Sequence, residues 1–289
     1  MNRVIKTTLA GLAAAALTTA ASVAPAAGGT LDSLLGGLLG SGGTAVGLTD
    51  HGHLVSFKLR APESPKTIGA VHGLKGDKKL IGIDYRVQNG KLYGVGSSGG
   101  IYTVSTSSAK ATKVSQLTVT LQGSKFGVDF NPAADRLRVI SDSGQNLRHD
   151  VNPGGATIAD GTLTLPPDPA AAAGVTAAAY TNNDLDPDTA TTLFDLDTTR
   201  DQVVLQSPAN SGQLSPTGKL GVDAGSDAGF DIYSELSRGS TQAVAGWATL
   251  KVDGRYGLYS INLLTGAADR EGRFPSRHQV TDLAVTLDR

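Results

Sequence analysis

Two segments of the chain superpose without a gap: Ile81 to Gly96 reads IGIDYRVQNGKLYGVG, and Phe126 to Ser141 reads FGVDFNPAADRLRVIS. Each runs apolar, Gly, apolar, Asp, aromatic, then turn residues, then a Leu that opens a second alternating run. The pattern returns as AGFDIY at Ala228 to Tyr233 and, with Ala in place of Asp, as TAAAYT at Thr176 to Thr181. A degenerate copy, TDLAVTL, lies at Thr281 to Leu287. The copies stand about 45 to 55 residues apart, the length of a four-stranded propeller blade. Such a repeat places equivalent strands side by side around one axis, and few other folds can absorb it.

The local pattern agrees. Runs such as HLVSFKL, KLYGVG, GIYTVS and RLRVIS alternate and are separated by Asn-Gly, Gly-Gly and Asp-Ser-Gly. Nothing sustains a helical period over three turns. The chain therefore reads as all-β, a β-propeller of five four-stranded blades. The last copy offers one strand before the sequence stops, while TAVGLT and HLVSFKL precede the first copy unclaimed. These N-terminal strands are expected to complete the last blade and so cover the open edges. Asn89-Gly90 fits a two-residue hairpin turn. PPDPAAAAGV, Pro166 to Val175, reads as a loop because its prolines oppose a helix.

Ahead of the repeats, Arg3 and Lys6 precede an apolar run from Leu9 to Leu17, followed by small residues through SVAPAAGG. This is the layout of a secretory signal peptide, assigned to residues 1–27, and the run is too short to span a membrane. Residues 28–43, rich in Gly, Ser and Leu, read as a flexible tether, and 44–289 as a single propeller domain. The protein is thus expected to be secreted, without a transmembrane span. With 25 basic and 26 acidic side chains, nucleic acid is not an expected partner. The absence of cysteine removes disulfides, thiol nucleophiles and thiolate metal sites. No cofactor is expected, calcium being the one ion considered below, and the chain is expected to be a monomer.

On the propeller reading the repeated pentads are the innermost strands. Gly82, Gly127, Gly229 and Ala177 to Ala179 are small because the blades converge there, and Asp84, Asp129 and Asp231 gather near the axis. Acids so placed must be hydrogen-bonded, paired or ligating. The densest polar run, DFNPAADRLRVISDSGQNLRHD, adds Asn131, Arg136, Arg138, Asn146 and Arg148, with Arg86 from the copy before. Strand alternation puts Arg136 and Arg138 on one face, away from Leu137 and Val139. Such arginines either grip an anion or pair with Asp135, Asp129 and Asp142 to hold blades together.

Asp184, Asp186, Asp188 and Asp195 fall at positions 1, 3, 5 and 12 of a calcium loop, although Thr189 replaces its turn glycine. His51 and His53 lack a third ligand for zinc.

GIDYRVQNGKLYGVG, the long polar run, and AAYTNND followed by PANSGQLSPTGKLGVD resemble the bacterial family known as domain of unknown function 4394. The resemblance spans roughly Ala45 to Leu287. It implies an exported, propeller-like protein and carries over no catalytic residue. Ala179, standing where other copies have Asp, argues against a fivefold-symmetric metal site. Two function classes stay open. One is a non-catalytic binding or scaffold module for an extracellular glycan, peptide or small anion at a channel mouth or loop face. The other is a glycosidase-like hydrolase using carboxylates around the funnel. Sugar binding normally uses aromatic platforms, and the single Trp247 lies in an alternating run that favours core packing.

Overall fold

The computed structural model describes residues 43–288. The segment read as a signal peptide, and nearly all of the one read as a tether, lie outside the described residues. Five four-stranded antiparallel sheets form the described chain, as the repeat requires. Blade 1 joins β20 (Val280–Val285), β1 (Thr44–Thr49), β2 (His53–Lys58) and β3 (Ala61–Ala70), in that order from the axis outward. Blade 2 holds β4 (Leu80–Arg86), β5 (Lys91–Gly96), β6 (Gly100–Val104) and β7 (Ala111–Gln116). Blade 3 holds β8 (Phe126–Asn131), β9 (Arg136–Ser141), β10 (Asn146–His149) and the short β11 (Thr157–Ala159). Blade 4 holds β12 (Val175–Tyr180), β13 (Leu193–Asp197), β14 (Gln202–Gln206) and β15 (Leu214–Lys219). Blade 5 holds β16 (Ala228–Ser237), β17 (Ser240–Val252), β18 (Arg255–Ile261) and β19 (Ala268–Arg273). The only helical turn among the described residues is Ala209–Ser211.

Closure takes the expected form. β1 pairs with β20 in the register Ala45↔Val285, Val46↔Ala284, Gly47↔Leu283, so the two ends of the domain share one sheet. The β4–β5 hairpin departs from expectation. Arg86 pairs with Lys91 across a four-residue loop, and of Asn89 and Gly90 only Gly90 has positive φ, 61°. Pro166 to Gly174 forms no helix, as its prolines dictate, and Val175 opens β12.

Each seam between blades carries its own apolar cluster, because a blade buries both faces. Tyr93, Val95 and Ile101 of blade 2 meet Val128, Phe130 and Leu137 of blade 3, with Tyr93 and Phe130 edge to face at 5.1 Å. Ile140 packs with Ala178, Tyr180 and Leu193, and Phe194 with Phe230 and Ile232. Trp247, fully buried, packs at the blade 5–1 seam with Phe57 and Leu283, and Ile83 and Leu92 meet Leu48 and Leu54 at the last seam. Trp247 is a core residue, not a sugar platform.

At the axis the small residues are required by space. A Cβ on Gly82 would meet Val128 Cγ2 at 2.5 Å, and one on Gly127 the Ala178 backbone nitrogen at 2.6 Å. One on Gly229 would meet the Asp282 Cα at 2.5 Å. Each inner strand leans on the next around the ring.

Candidate functional site

Inner strands expose N–H groups on an edge that no further strand can pair, and these need acceptors. The axial acids supply them. Asp84 Oδ2 accepts from Phe130 N–H of the next blade at 2.8 Å, Asp129 Oδ1 from Tyr180 N–H at 3.0 Å, and Asp231 Oδ2 from Val285 N–H at 2.5 Å. Blades 4 and 1 have Ala179 and Ala284 at the equivalent position. The amides they would have served turn to their own preceding carboxylates instead: Ile232 N–H to Asp231 Oδ1 and Tyr85 N–H to Asp84 Oδ1, both at 2.6 Å. Asp282, at the position that is glycine in three other blades, accepts from Ile83 N–H at 2.8 Å. The carboxyls therefore run a clasp around the ring, each blade gripping its neighbour.

Asp84, Asp129 and Asp231 are all buried, and each offers an oxygen within 4.8 Å of those of the other two. Burial, reinforced by the charge of Asp231, raises the Asp84 pKa well above the usual carboxylate range. Burial and then Asp84 and Asp231 do the same to Asp129. Asp231 is pushed by burial to about 6, held down by its two backbone donors. Asp282 keeps some exposure but lies deep enough that burial raises it too. No other trio of His and carboxylate groups able to share an ion occurs among the described residues.

The arginines divide between two seams. Arg86 crosses from blade 2 to blade 3, donating to both oxygens of Asp135 and, at 2.9 Å, to Asn152 Oδ1. Arg138 and Arg136 share a face, as alternation requires, and that face meets blade 4. Arg138 donates to Tyr180 Oη at 3.1 Å, Asn146 Oδ1 and Asp160 Oδ2 at 2.7 Å, and Asn210 Oδ1 at 2.8 Å. Arg148 reaches Asp160 Oδ1 at 3.0 Å, and Arg136 lies 3.3 Å from Asp150 Oδ2. The expected partners thus require correction. Asp135 serves Arg86, Asp129 serves a backbone amide, and Asp142 accepts from the Ser124 amide and hydroxyl. Asp160 and Asp150, which take their place, come from the weakly patterned stretch after β10.

The calcium-loop acids are not brought together. Asp184 Oδ2 accepts from the Thr241 amide at 2.9 Å and hydroxyl at 2.6 Å, and Asp186 accepts from the Ser240 hydroxyl. The loop is thereby pinned to the β16–β17 hairpin of blade 5. Asp188 is exposed, and Asp195 lies within β13, fully buried in the blade 3–4 seam with no partner for either oxygen. Position 12 of the sequence pattern is a strand residue, so its side chain points into the seam and not at the loop.

The larger concavities are at the two ends of the ring. Where the inner strands of blades 1, 2 and 3 begin, a cavity of about 530 Å³ is lined by His51, Lys78, Lys79, Ser124, Lys125 and Asp227, among others. Lys125 pairs with Asp227 at 2.6 Å, whereas Lys78 and Lys79 are exposed and no protein acceptor meets their ammonium groups. Sequence reasoning passed over these lysines. Their signal is position: Lys79 and Lys125 stand immediately before β4 and β8, and Asp227 immediately before β16. The opposite end, about 550 Å³, is lined by Gln88, Asn89, Asp184, Leu185, Leu236 and Arg238, among others.

No helix among the described residues is long and apolar enough to cross a membrane. No curated protein matches the chain. Among solved structures, it is similar to an auxiliary nutrient binding protein from Bacteroides ovatus, with 16% identity and a TM-score of 0.38 over 60% of this chain and 46% of that one. It is also similar to a second such protein from Bacteroides thetaiotaomicron, with 11% identity and a TM-score of 0.44 over 78% and 56%. The chain thus spans about half the length of these two proteins. The Malassezia sympodialis allergen Mala s 1 is similar at 13% identity and a TM-score of 0.39, over 77% of this chain and 66% of that one. The profile of domain of unknown function 4394 matches residues 53–284, from the second strand of blade 1 into its closing strand β20, and the chain belongs to that family.

Proposed function

We propose that the protein is an exported, non-catalytic binding module that takes a small polar ligand bearing an anionic group at the mouth where the inner strands begin. A glycan, a peptide end or a small organic anion meets this description. The observation that carries the reading is the pair Lys78 and Lys79, two ammonium groups with no protein acceptor on the rim of a cavity of about 530 Å³. That volume lies within the usual range for small-molecule sites. Three lysines and His51 face two acids, Asp50 and Asp227, so the rim favours negative charge. The hydrolase alternative gains no such support. Its carboxylates would have to reach substrate, yet Asp84, Asp129 and Asp231 are buried and committed to backbone donors.

The test is retention on glycan and acidic-peptide arrays, comparing the mature protein with the Lys78→Gln/Lys79→Gln double variant. An acidic ligand should bind the native protein and lose affinity by about tenfold or more in the variant, as expected when charge-assisted hydrogen bonds are removed. Absence of any ligand, or binding that the double variant leaves unchanged, overturns the reading.

A further inference from the structure

At the end of the ring opposite the lysine rim, the seam between blades 3 and 4 opens into a small cavity of about 70 Å³ lined by Asn131, Arg136, Arg138, Arg148, Tyr180 and Asn210. We infer that this cavity is a second binding site, for a single tetrahedral oxyanion of the phosphate or sulfate type. It goes beyond the ligand mouth proposed above and does not depend on it.

Size sets the ligand class first. The space equals about two water molecules at their share of liquid volume, which admits one oxyanion and excludes a sugar ring or an amino-acid side chain with its backbone. Charge sets the sign. Three guanidinium groups converge on the cavity, and the acids paired with them are two: Asp160, shared by Arg138 and Arg148, and Asp150, on Arg136. One positive charge is left over. Arg138 is 3% exposed and forms the floor. Although burial opposes its charge, Tyr180 and Asp160 hold its pKa above the usual arginine range, so it remains a cation.

Donor capacity points the same way. Arg148, which lines the cavity, spends only its Nε on Asp160, so both of its terminal amino groups are without a protein acceptor. Asn210 accepts from Arg138 through Oδ1, so its amide NH₂ is a further donor. A planar carboxylate is satisfied by one guanidinium fork, whereas the two terminal amino groups of Arg148 on β10, joined by the Asn210 amide from the helical turn, suit an acceptor with oxygens in more than one plane. The structural role of Arg138 and Asp160, which hold the seam, accounts for the buried part of this network. It does not account for the unspent donors of Arg148.

Inorganic phosphate is the probe, titrated against the purified protein by calorimetry and by thermal melting, with sulfate as a second tetrahedral anion and chloride at matched ionic strength as the control. Phosphate and sulfate are expected to raise the melting temperature by a few degrees where chloride does not. Arg148→Gln is expected to weaken that binding by about tenfold or more while leaving the melting temperature without phosphate close to that of the native protein, because the Arg138–Asp160 pair survives. Lys78→Gln/Lys79→Gln should bind phosphate as the native protein does. No stabilisation beyond chloride overturns the inference, as does an effect that survives Arg148→Gln or that disappears with the two lysines.

Discussion

Asp129 shows how much one carboxyl does at the axis. It takes the Tyr180 amide that no strand can pair, through one oxygen alone, and burial, with Asp84 and Asp231 after it, raises its pKa and so favours the protonated form. A protonated acid and an amide have the same shape and the same acceptor oxygen. Asp129→Asn should therefore cost little stability at neutral pH, while Asp129→Ala leaves a buried N–H unmatched and should cost about 1–3 kcal/mol. Urea denaturation of both variants decides the matter, and equal losses would show that the hydrogen bond is not what the acid contributes. Asp195 is the opposite case. It is fully buried, neither oxygen has a partner, and its pKa is raised well above the usual range by burial, with Arg138 opposing only in part. Replacing it with the similarly sized Val should stabilise the protein, because Ala178 and Val204 already line that face and nothing polar would be orphaned. A lower melting temperature for Asp195→Val would reveal a function for that carboxyl which the seam does not show.

Among the elements, β20 has the most work to do: it pairs with β1, carries Asp282 to Ile83 and receives Asp231 at Val285. A chain ending at Gln279 would expose the inner edge of blade 1 and leave Trp247, Phe57 and their neighbours short of Leu283 and Val285. Such a chain should lose its cooperative thermal transition by circular dichroism, and a sharp melt near that of the full chain would show the closure to be dispensable. The blade number and this closure were legible because the pentad marks an inner strand twice over, by a residue small enough for the axis and by an acid for the neighbour's amide. What the pentad could not show was the register of the degenerate copy. There the acid moves two positions, to Asp282, and Ala284 takes its place, because only contact with Gly229 and Ile83 fixes which residue faces the axis. The face shared by Arg136 and Arg138 followed from alternation alone. Their partners did not, since Asp150 and Asp160 flank a three-residue strand too short for any periodic signal.

For the whole molecule, the ring of acids makes a prediction that runs against ordinary carboxylate behaviour. Most acids in folded proteins have depressed pKa values, so stability is lost as pH falls. Here Asp84, Asp129, Asp195 and Asp282 are raised, and Asp231 is raised to about 6, against about 3.9 in an unfolded chain. Between those two values the native state binds more protons than the unfolded state. The slope of unfolding free energy with pH is then negative, and stability falls as pH rises from about 4 through about 6 and beyond. Asp231 alone accounts for a shift of about two units, on the order of 3 kcal/mol between pH 4 and pH 8. Asp142 and Asp150, whose pKa values are lowered, act in the other direction only below about pH 4, where their stabilising hydrogen bonds to Ser124 and Asn152 are lost. The melting temperature should therefore peak in mildly acidic buffer. Asp231→Asn should flatten the decline because the amide cannot ionise, but its single oxygen can serve only one of the Ile232 and Val285 amides, so the variant should lie below the native protein near pH 4 and the gap should narrow toward pH 8. Millimolar Mg²⁺ or Ca²⁺ should leave these curves unchanged, since the carboxyls that would ligate an ion already accept from backbone N–H groups. A native melting temperature that climbs from pH 5 to pH 8 would refute the clasp. A rise with added cation that Asp231→Asn abolishes would make the same three carboxylates a metal site.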